Sequence, residues 1–193
     1  MNLDKNIANA VKVLHNTYDN IAKLVKYVNL NAEKFGYVCV TPNPLVWQNR
    51  NNIWGWLVNK VIVVFQHKDK YLYENGWYND DIFGMEICLN EDEAALYISK
   101  FCYKNIEGWS SNRSASNEWG FSHPRTNFED KFIIEQKGKD TYSEPRNEKY
   151  SDLYGGLKKA VFRKDTFSDI TSENIGRKVF AVMDELQNLN LCD

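Results

Sequence analysis

The chain has 193 residues, of which 43% are hydrophobic and 26% are charged, and its 24 Lys and Arg nearly balance its 26 Asp and Glu. These proportions are typical of a globular domain with a sizeable core, and they exclude a chain that is disordered throughout. A net charge of −2 argues against a protein that coats nucleic acid over its whole surface. We therefore predict a single domain over residues 1–193.

The chain carries no targeting or membrane signal that can be read from its apolar runs. Residues 1–6 lack the apolar region of a signal peptide. The longest apolar run, Val61–Phe65, is far too short to cross a bilayer. These observations predict a cytoplasmic protein without a membrane partner.

The cysteines show no metal-binding or redox spacing. Cys39, Cys88 and Cys102 each lie in an apolar run, no C-x-x-C pair occurs, and no histidine stands at ligand spacing. We predict that these three are reduced thiols serving as small hydrophobic residues, and that Cys192 is an exposed thiol.

An amphipathic pattern opens the chain. Apolar residues spaced alternately by four and three form one stripe on a helix from about residue 3 to residue 35, which Gly36 is placed to end. The stripe consists of Ile7, Val11, Leu14, Tyr18, Ile21, Val25 and Val28. Its length of about three heptads favours packing of the helix on its own sheet, with pairing between two chains as the alternative.

The middle of the chain has the composition of β-strands. Runs of β-branched and aromatic residues predict strands at 37–41, 57–66, 71–73, 82–89 and 131–136. Residues 94–103 fit either a strand or a helix capped by Asn90, and their Tyr and Phe content favours the strand.

The remaining segments complete a fold prediction. Residues 104–130 show no period and 139–152 are polar, so both are predicted loops, whereas 153–162 fits a short helix. A last helix is expected after Thr171 or Ser172, with Ile175–Leu189 as its apolar stripe. Strands grouped between helices predict an α+β fold, in which a mostly antiparallel sheet packs against a long N-terminal helix, or helix pair, and a C-terminal helix.

The long irregular segment at about 104–130 is the first candidate binding region. An irregular segment of this length inside a compact domain is usually functional or disordered, and its aromatic content argues against disorder. Trp and Arg are the residue types that most often carry binding energy. The candidates are Trp109, Arg113, Trp119, His123 and Arg125. The alternative is a lid whose indoles fold back on the sheet.

A second aromatic segment, 42–56, carries Trp47, Arg50 and Trp54 among Asn and Gln residues. Flat rings beside amide and guanidinium groups suit a stacked ring, such as a base, a sugar or an aromatic side chain. Ordinary core packing at a strand entrance is the alternative.

A catalytic hypothesis rests on Glu135-Gln136-Lys137 at the end of a predicted strand. Side chains two apart on a strand share a face, so Glu135 and Lys137 project together. With Asp80 or Asp81 from a neighbouring strand, the pair could hold Mg²⁺ and activate water for phosphodiester cleavage. The pattern resembles the E-x-K metal motif of restriction-endonuclease-like nucleases. An exposed ion pair at a strand end is the alternative.

Other catalytic signatures, including phosphate-binding glycine loops, G-x-S-x-G and H-E-x-x-H, do not occur in the sequence. We therefore predict a small intracellular binding protein without catalytic activity or cofactor, resembling inhibitors or immunity proteins in size. It would recognise a protein or a ring-containing polar ligand through its Trp-, Asn- and Arg-rich loops. The alternative is a Mg²⁺-dependent nuclease, and the oligomeric state is left open.

Overall fold

A computed structural model describes residues 3–41, 43–46, 57–89, 94–110, 118–167, 170–171 and 173–191. The α-helices in these ranges are α1 (Leu3–Ala32), α2 (Glu118–Thr126), α3 (Glu148–Leu153) and α4 (Ala181–Gln187). The strands are β1 (Tyr37–Cys39), β2 (Leu45–Val46), β3 (Lys60–His67), β4 (Ile82–Leu89), β5 (Ala94–Tyr103), β6 (Phe132–Lys137), β7 (Asp140–Pro145) and β8 (Leu157–Thr166). Shorter turns of helix are Glu33–Phe35, Phe128–Asp130 and the π-helical Gly176–Phe180.

The eight described strands form one antiparallel sheet. Its order is β1-β3-β4-β5-β8-β7-β6, with β2 also pairing with β3. The long N-terminal helix and the shorter C-terminal helix accompany this sheet, so the predicted α+β fold is confirmed.

Each face of the sheet carries its own hydrophobic core, because successive side chains of a strand point to opposite faces. On the helix face, the C-terminal half of α1 and the π-turn with α4 cover residues such as Phe83, Met85 and Ile98. On the opposite face, which we call the aromatic face, most of the buried side chains are rings. These rings belong to Trp77, Phe101, Tyr103, Trp109, Phe121, Phe132, Tyr154 and Phe162.

The predicted end of the N-terminal helix is confirmed. After the turn Glu33–Phe35, Gly36 adopts a φ of 84° and its N–H donates to the carbonyl of Glu33. A left-handed φ is easily adopted by glycine because it has no Cβ. The chain then turns directly into β1.

The strands at 82–89 and 94–103 are confirmed, and those near 37–41, 57–66 and 131–136 shift by one to three residues. Residues 71–73 do not form a full strand, because only the single bridge Leu72–Tyr78 is made there. The last helix begins at Ile175, and Ser172 lies outside the described residues.

Three segments differ from their predictions. Within 104–130, residues 118–126 form α2. The predicted loop at 139–152 contains β7 and α3, and the predicted helix at 153–162 contains most of β8. Gly155 and Gly156, with φ of 71° and 83°, make the turn between α3 and β8. A pair of left-handed residues ends a helix, so the apolar run after them starts a new element.

The cysteine prediction is wrong for Cys102, which is disulfide-bonded, whereas Cys39 and Cys88 form no disulfide. Cys192 lies outside the described residues. The cytoplasmic location stays a prediction. Among the described helices, none combines the length and apolarity needed to span a bilayer.

Candidate functional site

The helix α2 lies on the aromatic face and is fixed there by both apolar and polar contacts. Phe121 is fully buried, with its ring edge-to-face against Phe101 at a centroid distance of 5.1 Å. The carbonyl of Pro124 accepts a hydrogen bond of 2.8 Å from Ser143 Oγ on β7. These contacts place the N-terminal residues of α2 beside the start of β3.

Arg125 anchors the same helix to the centre of the sheet. Its Nη2 lies 2.6 Å from Oε1 of Glu86, and its Nε lies 3.1 Å from Oε2, which makes a two-pronged ion pair. The guanidinium also lies over the ring of Tyr97, 3.9 Å from its centroid. Because both partners are on the sheet, Arg125 contributes to the attachment of α2 and not to a free binding surface.

The turn after α2 is conformationally unusual. Asn127, Glu129 and Asp130 have φ of 48°, 54° and 56°, a region that non-glycine residues rarely adopt. Asn127 Oδ1 accepts a hydrogen bond of 2.8 Å from the backbone N–H of Phe132, which holds the turn against β6. This turn brings Phe128 back over α2. Backbone in such rarely populated conformations occurs frequently at functional sites.

His123 is held between two rings. Its imidazole stacks on Phe128 at 3.9 Å between centroids and 12° between planes, and its Nδ1 lies 3.0 Å from the hydroxyl of Tyr154. Burial, and then the positive charges of Lys60 and Lys131, lower the pKa of His123 to about 4. The imidazole is therefore neutral at pH 7, and its ring is a flat, polar group.

A cleft of about 480 Å³ opens between α2, the start of β3 and the strained turn. We call it the α2 cleft, and it is lined by Asn59, Lys60, Glu118, Trp119, His123, Thr126 and Phe128. This volume lies within the range of small-molecule sites. Its walls combine aromatic rings with one ammonium, one carboxylate and one amide.

The polar groups that line the α2 cleft differ in the hydrogen bonds and ion pairs that they make. Glu118 accepts a hydrogen bond of 3.0 Å from Ser122 Oγ and lies 3.9 Å from Lys60 Nζ. Asn59 Oδ1 is buried and has no hydrogen-bond partner among the described residues. A buried acceptor without a partner is costly, and because this oxygen is enclosed it is not open to a ligand in the cleft.

The two predicted indoles of the segment 104–130 occupy different environments. Trp119 is half-buried at the rim of the α2 cleft, with its ring 5.2 Å from that of Tyr154. Trp109 is only 6% exposed, it is edge-to-face with Trp77 and Tyr103, and its Nε1–H donates to the carbonyl of Gly155 at 2.8 Å. Trp109 is therefore enclosed by its own domain and offers almost no surface to a partner.

Trp47, Arg50, Trp54 and Arg113 lie outside the described residues. A binding surface formed by these four side chains stays a prediction.

The residues of the nuclease hypothesis do not converge. Glu135 and Lys137 are exposed on β6 and pair with each other at 2.8 Å. Asp81 precedes β4 and pairs with the buried Lys100 at 3.0 Å. Four strand spacings separate β6 from β4, which is about 19 Å. In the part of the chain that the structure describes, no three His, Cys, Asp or Glu residues form a group that could hold a metal ion.

Several cleft residues carry no signal in the sequence. Asn59 and Lys60 precede a buried apolar run and are typical of residues at the start of a strand. Glu118 is typical of residues at the start of a helix. Only the contact between β3 and α2 makes them neighbours. Trp119 and His123 were identifiable from composition alone.

Comparisons of the chain with family models, with curated proteins and with solved structures gave no match.

Proposed function

We propose that the protein binds a small polar ligand containing a flat heterocyclic ring in the α2 cleft. The observation that carries this proposal is the lining of the cleft, where the rings of Trp119, His123 and Phe128 stand beside the Lys60 ammonium and the Glu118 carboxylate. A ligand N–H placed against the Glu118 carboxylate would make a charge-assisted hydrogen bond.

The cleft chemistry favours a ring that carries an amino group. The Glu118 carboxylate accepts hydrogen bonds, while the Lys60 ammonium donates them. Trp119 and the stacked pair of His123 and Phe128 provide faces for a ring, and stacking on aromatic side chains tolerates many heterocycles. Aminated bases such as adenine, guanine or cytosine fit this pattern better than uracil does.

Binding, and not turnover, is the function that these groups support. Among the described residues lining the cleft, Glu118 is the single carboxylate, and it is already engaged by Ser122 and Lys60. His123 is neutral and its Nδ1 is held by Tyr154. This arrangement resembles a recognition site more than a pair of groups set to exchange protons.

The test is a titration of the protein with adenosine, guanosine, cytidine and uridine, followed by calorimetry and by the indole N–H resonances in NMR spectra. We expect at least one amino-bearing nucleoside to bind with a Kd below about 1 mM and to bind more tightly than uridine. The Trp119 indole resonance should shift, whereas that of the enclosed Trp109 should not.

Substitutions in the cleft separate binding from folding. Trp119→Ala and Glu118→Gln should each weaken binding by about tenfold or more. Because both side chains are partly exposed, neither change should lower the free energy of unfolding by more than about 1 kcal/mol. The matched control is Asn16→Ala on the exposed side of α1, which should change neither quantity. Equal affinity of wild type and both cleft variants would overturn the proposal.

A further inference from the structure

The helix α1 continues well beyond the domain that it supports. Ile21, Val25, Val28 and Ala32 bury its C-terminal half against the sheet. Every residue from 3 to 13 is exposed, including the large apolar side chains of the same face. The exposed fractions are 68% for Leu3, 55% for Ile7 and 46% for Val11. We call residues 3–17 the arm.

The arm keeps the heptad spacing of the buried half. Counting along the stripe, Val11 and Tyr18 take a positions, and Ile7, Leu14 and Ile21 take d positions. A strict repeat of 3.5 residues is the pattern of a helix that packs along another helix, since a straight α-helix drifts from that period. Ala8 and Ala10, the small residues beside this seam, permit close approach of a second helix.

A groove prolongs the same stripe at the base of the arm. It has a volume of about 620 Å³ and lies between α1 and the strands β2 and β3. Its lining is mostly apolar and consists of Tyr18, Ile21, Ala22, Val25, Lys26, Asn29, Leu30, Pro44, Val46, Val58 and Val61. The exposed stripe and the groove therefore form one continuous apolar strip that is longer than the arm itself.

We propose that two copies of the chain pair through their arms in an antiparallel coiled coil, each arm running toward the groove of the other copy. In the register that places Val11 opposite the second copy's Leu14, Ile7 meets Tyr18, and Asp4 lies at the level of Ile21 at the outer end of the pair. In this register Leu3 reaches the level of Ala22, at the mouth of the groove.

Charge selects this orientation. Asp4 takes an a position, so a parallel pair would place two Asp4 carboxylates against each other in the seam, which is unfavourable. In the antiparallel pair the two Asp4 carboxylates lie at opposite ends of the seam, so this repulsion is absent. The two globular domains also lie at opposite ends of the paired arms.

A second copy fits the arm better than a lipid surface does. Interfacial membrane helices carry a strongly basic polar face, whereas the charged residues between Leu3 and Thr17 are Asp4, Lys5 and Lys12. A two-fold pair is closed and self-complementary, so it stops at the dimer. With about two heptads per arm, the interface is small and the dimer should be concentration-dependent.

Sedimentation velocity of the full chain from about 1 to 500 µM tests the pairing. We expect a reversible shift from monomer to dimer for the wild type. The double variant Ile7→Asp/Val11→Asp should remain monomeric at least tenfold higher in concentration. The matched control Asn9→Asp/Asn16→Asp adds the same charge to the outer side of the arm and should dimerise like the wild type.

A strict monomer over the whole range overturns the proposal, as does a dimer that the Ile7→Asp/Val11→Asp variant leaves intact. Orientation is tested by disulfide cross-linking under mild oxidation, with the unsubstituted chain as the background. A mixture of Val11→Cys and Leu14→Cys chains should cross-link more than either variant alone. Efficient cross-linking of Val11→Cys with itself would indicate a parallel pair and contradict the proposed orientation.

Discussion

Two tryptophans ten positions apart in the chain have opposite roles in the structure. Trp109 is wedged between Trp77 and Tyr103 with its indole N–H bonded to a backbone carbonyl, whereas Trp119 forms the rim of the α2 cleft. Each ring lies in the same predicted irregular segment. The difference shows that an aromatic residue in such a segment is informative about binding only after its neighbours across the sheet are known.

The segments that carry the two rings are also held differently. The Trp109 segment is held by Asn75, whose Nδ2 donates to the carbonyls of Ile106 at 2.8 Å and Glu107 at 3.1 Å. The helix that carries Trp119 is held by the ion pair of Arg125 with Glu86. The ring of Trp109 is therefore part of the core, whereas α2 holds the ring of Trp119 at the rim of the cleft.

The largest expected effect separates the two indoles directly. Trp109→Ala should lower the free energy of unfolding by about 3–5 kcal/mol, because it opens a cavity among buried rings and removes a hydrogen bond. Trp119→Ala should cost about 1 kcal/mol or less, since its ring is partly in water. Urea denaturation of both variants measures the two values. Similar losses for the two variants would break the comparison.

A second test concerns the attachment of α2. Arg125→Met should lower the free energy of unfolding by about 3 kcal/mol, because it leaves the buried Glu86 carboxylate without its ionic partner. The double variant Glu86→Leu/Arg125→Met should recover much of this loss. Lys137→Met, which breaks an exposed pair, should leave the denaturation midpoint unchanged. A single variant as stable as the wild type would show that the ion pair does not hold the helix.

The smallest effect is a pH dependence located at the cleft. The pKa of His123 is lowered to about 4 in the folded protein, below its unfolded value near 6.5, so the unfolded chain binds the proton more readily. Its contribution to stability is complete above pH 6.5 and is lost as the pH falls toward 4. The loss amounts to about 2 kcal/mol for this half-buried group.

Thermal unfolding between pH 4 and pH 7 measures this dependence. His123→Gln should flatten the curve relative to the wild type, whereas His15→Gln, on the exposed arm, should not. Identical curves for the His123 variant and the wild type would show that this imidazole is not desolvated in the folded protein.

Elements with a regular apolar period could be predicted, and those built on polar pairing could not. The strand 82–89 alternates cleanly and was placed correctly. In β7, Asp140 is buried because its carboxylate pairs with Arg163 of the neighbouring strand at 2.6 Å, so its polar sequence reads as a loop. In α2, Gly120 and Pro124 lie inside the helix and hide its period.

The candidate site was predictable only in part for a related reason. Composition identified Trp119 and His123, since both belong to one aromatic segment. Asn59 and Lys60 come from a distant part of the chain, and no local pattern distinguishes them from other strand-entrance residues. The missing hydrogen-bond partner of Asn59 Oδ1 is a property of the assembled structure, which a one-dimensional pattern does not contain.

The first residues of β3 form a partition shared by the two surfaces. Lys60 faces the α2 cleft, and the next residue, Val61, faces the groove on the other side of the sheet. A ligand in the cleft that displaced this strand would therefore also displace Val61 in the groove. If a ligand in the α2 cleft strengthens the pairing of the arms, thermodynamic linkage requires that the paired form bind this ligand more tightly by the same factor.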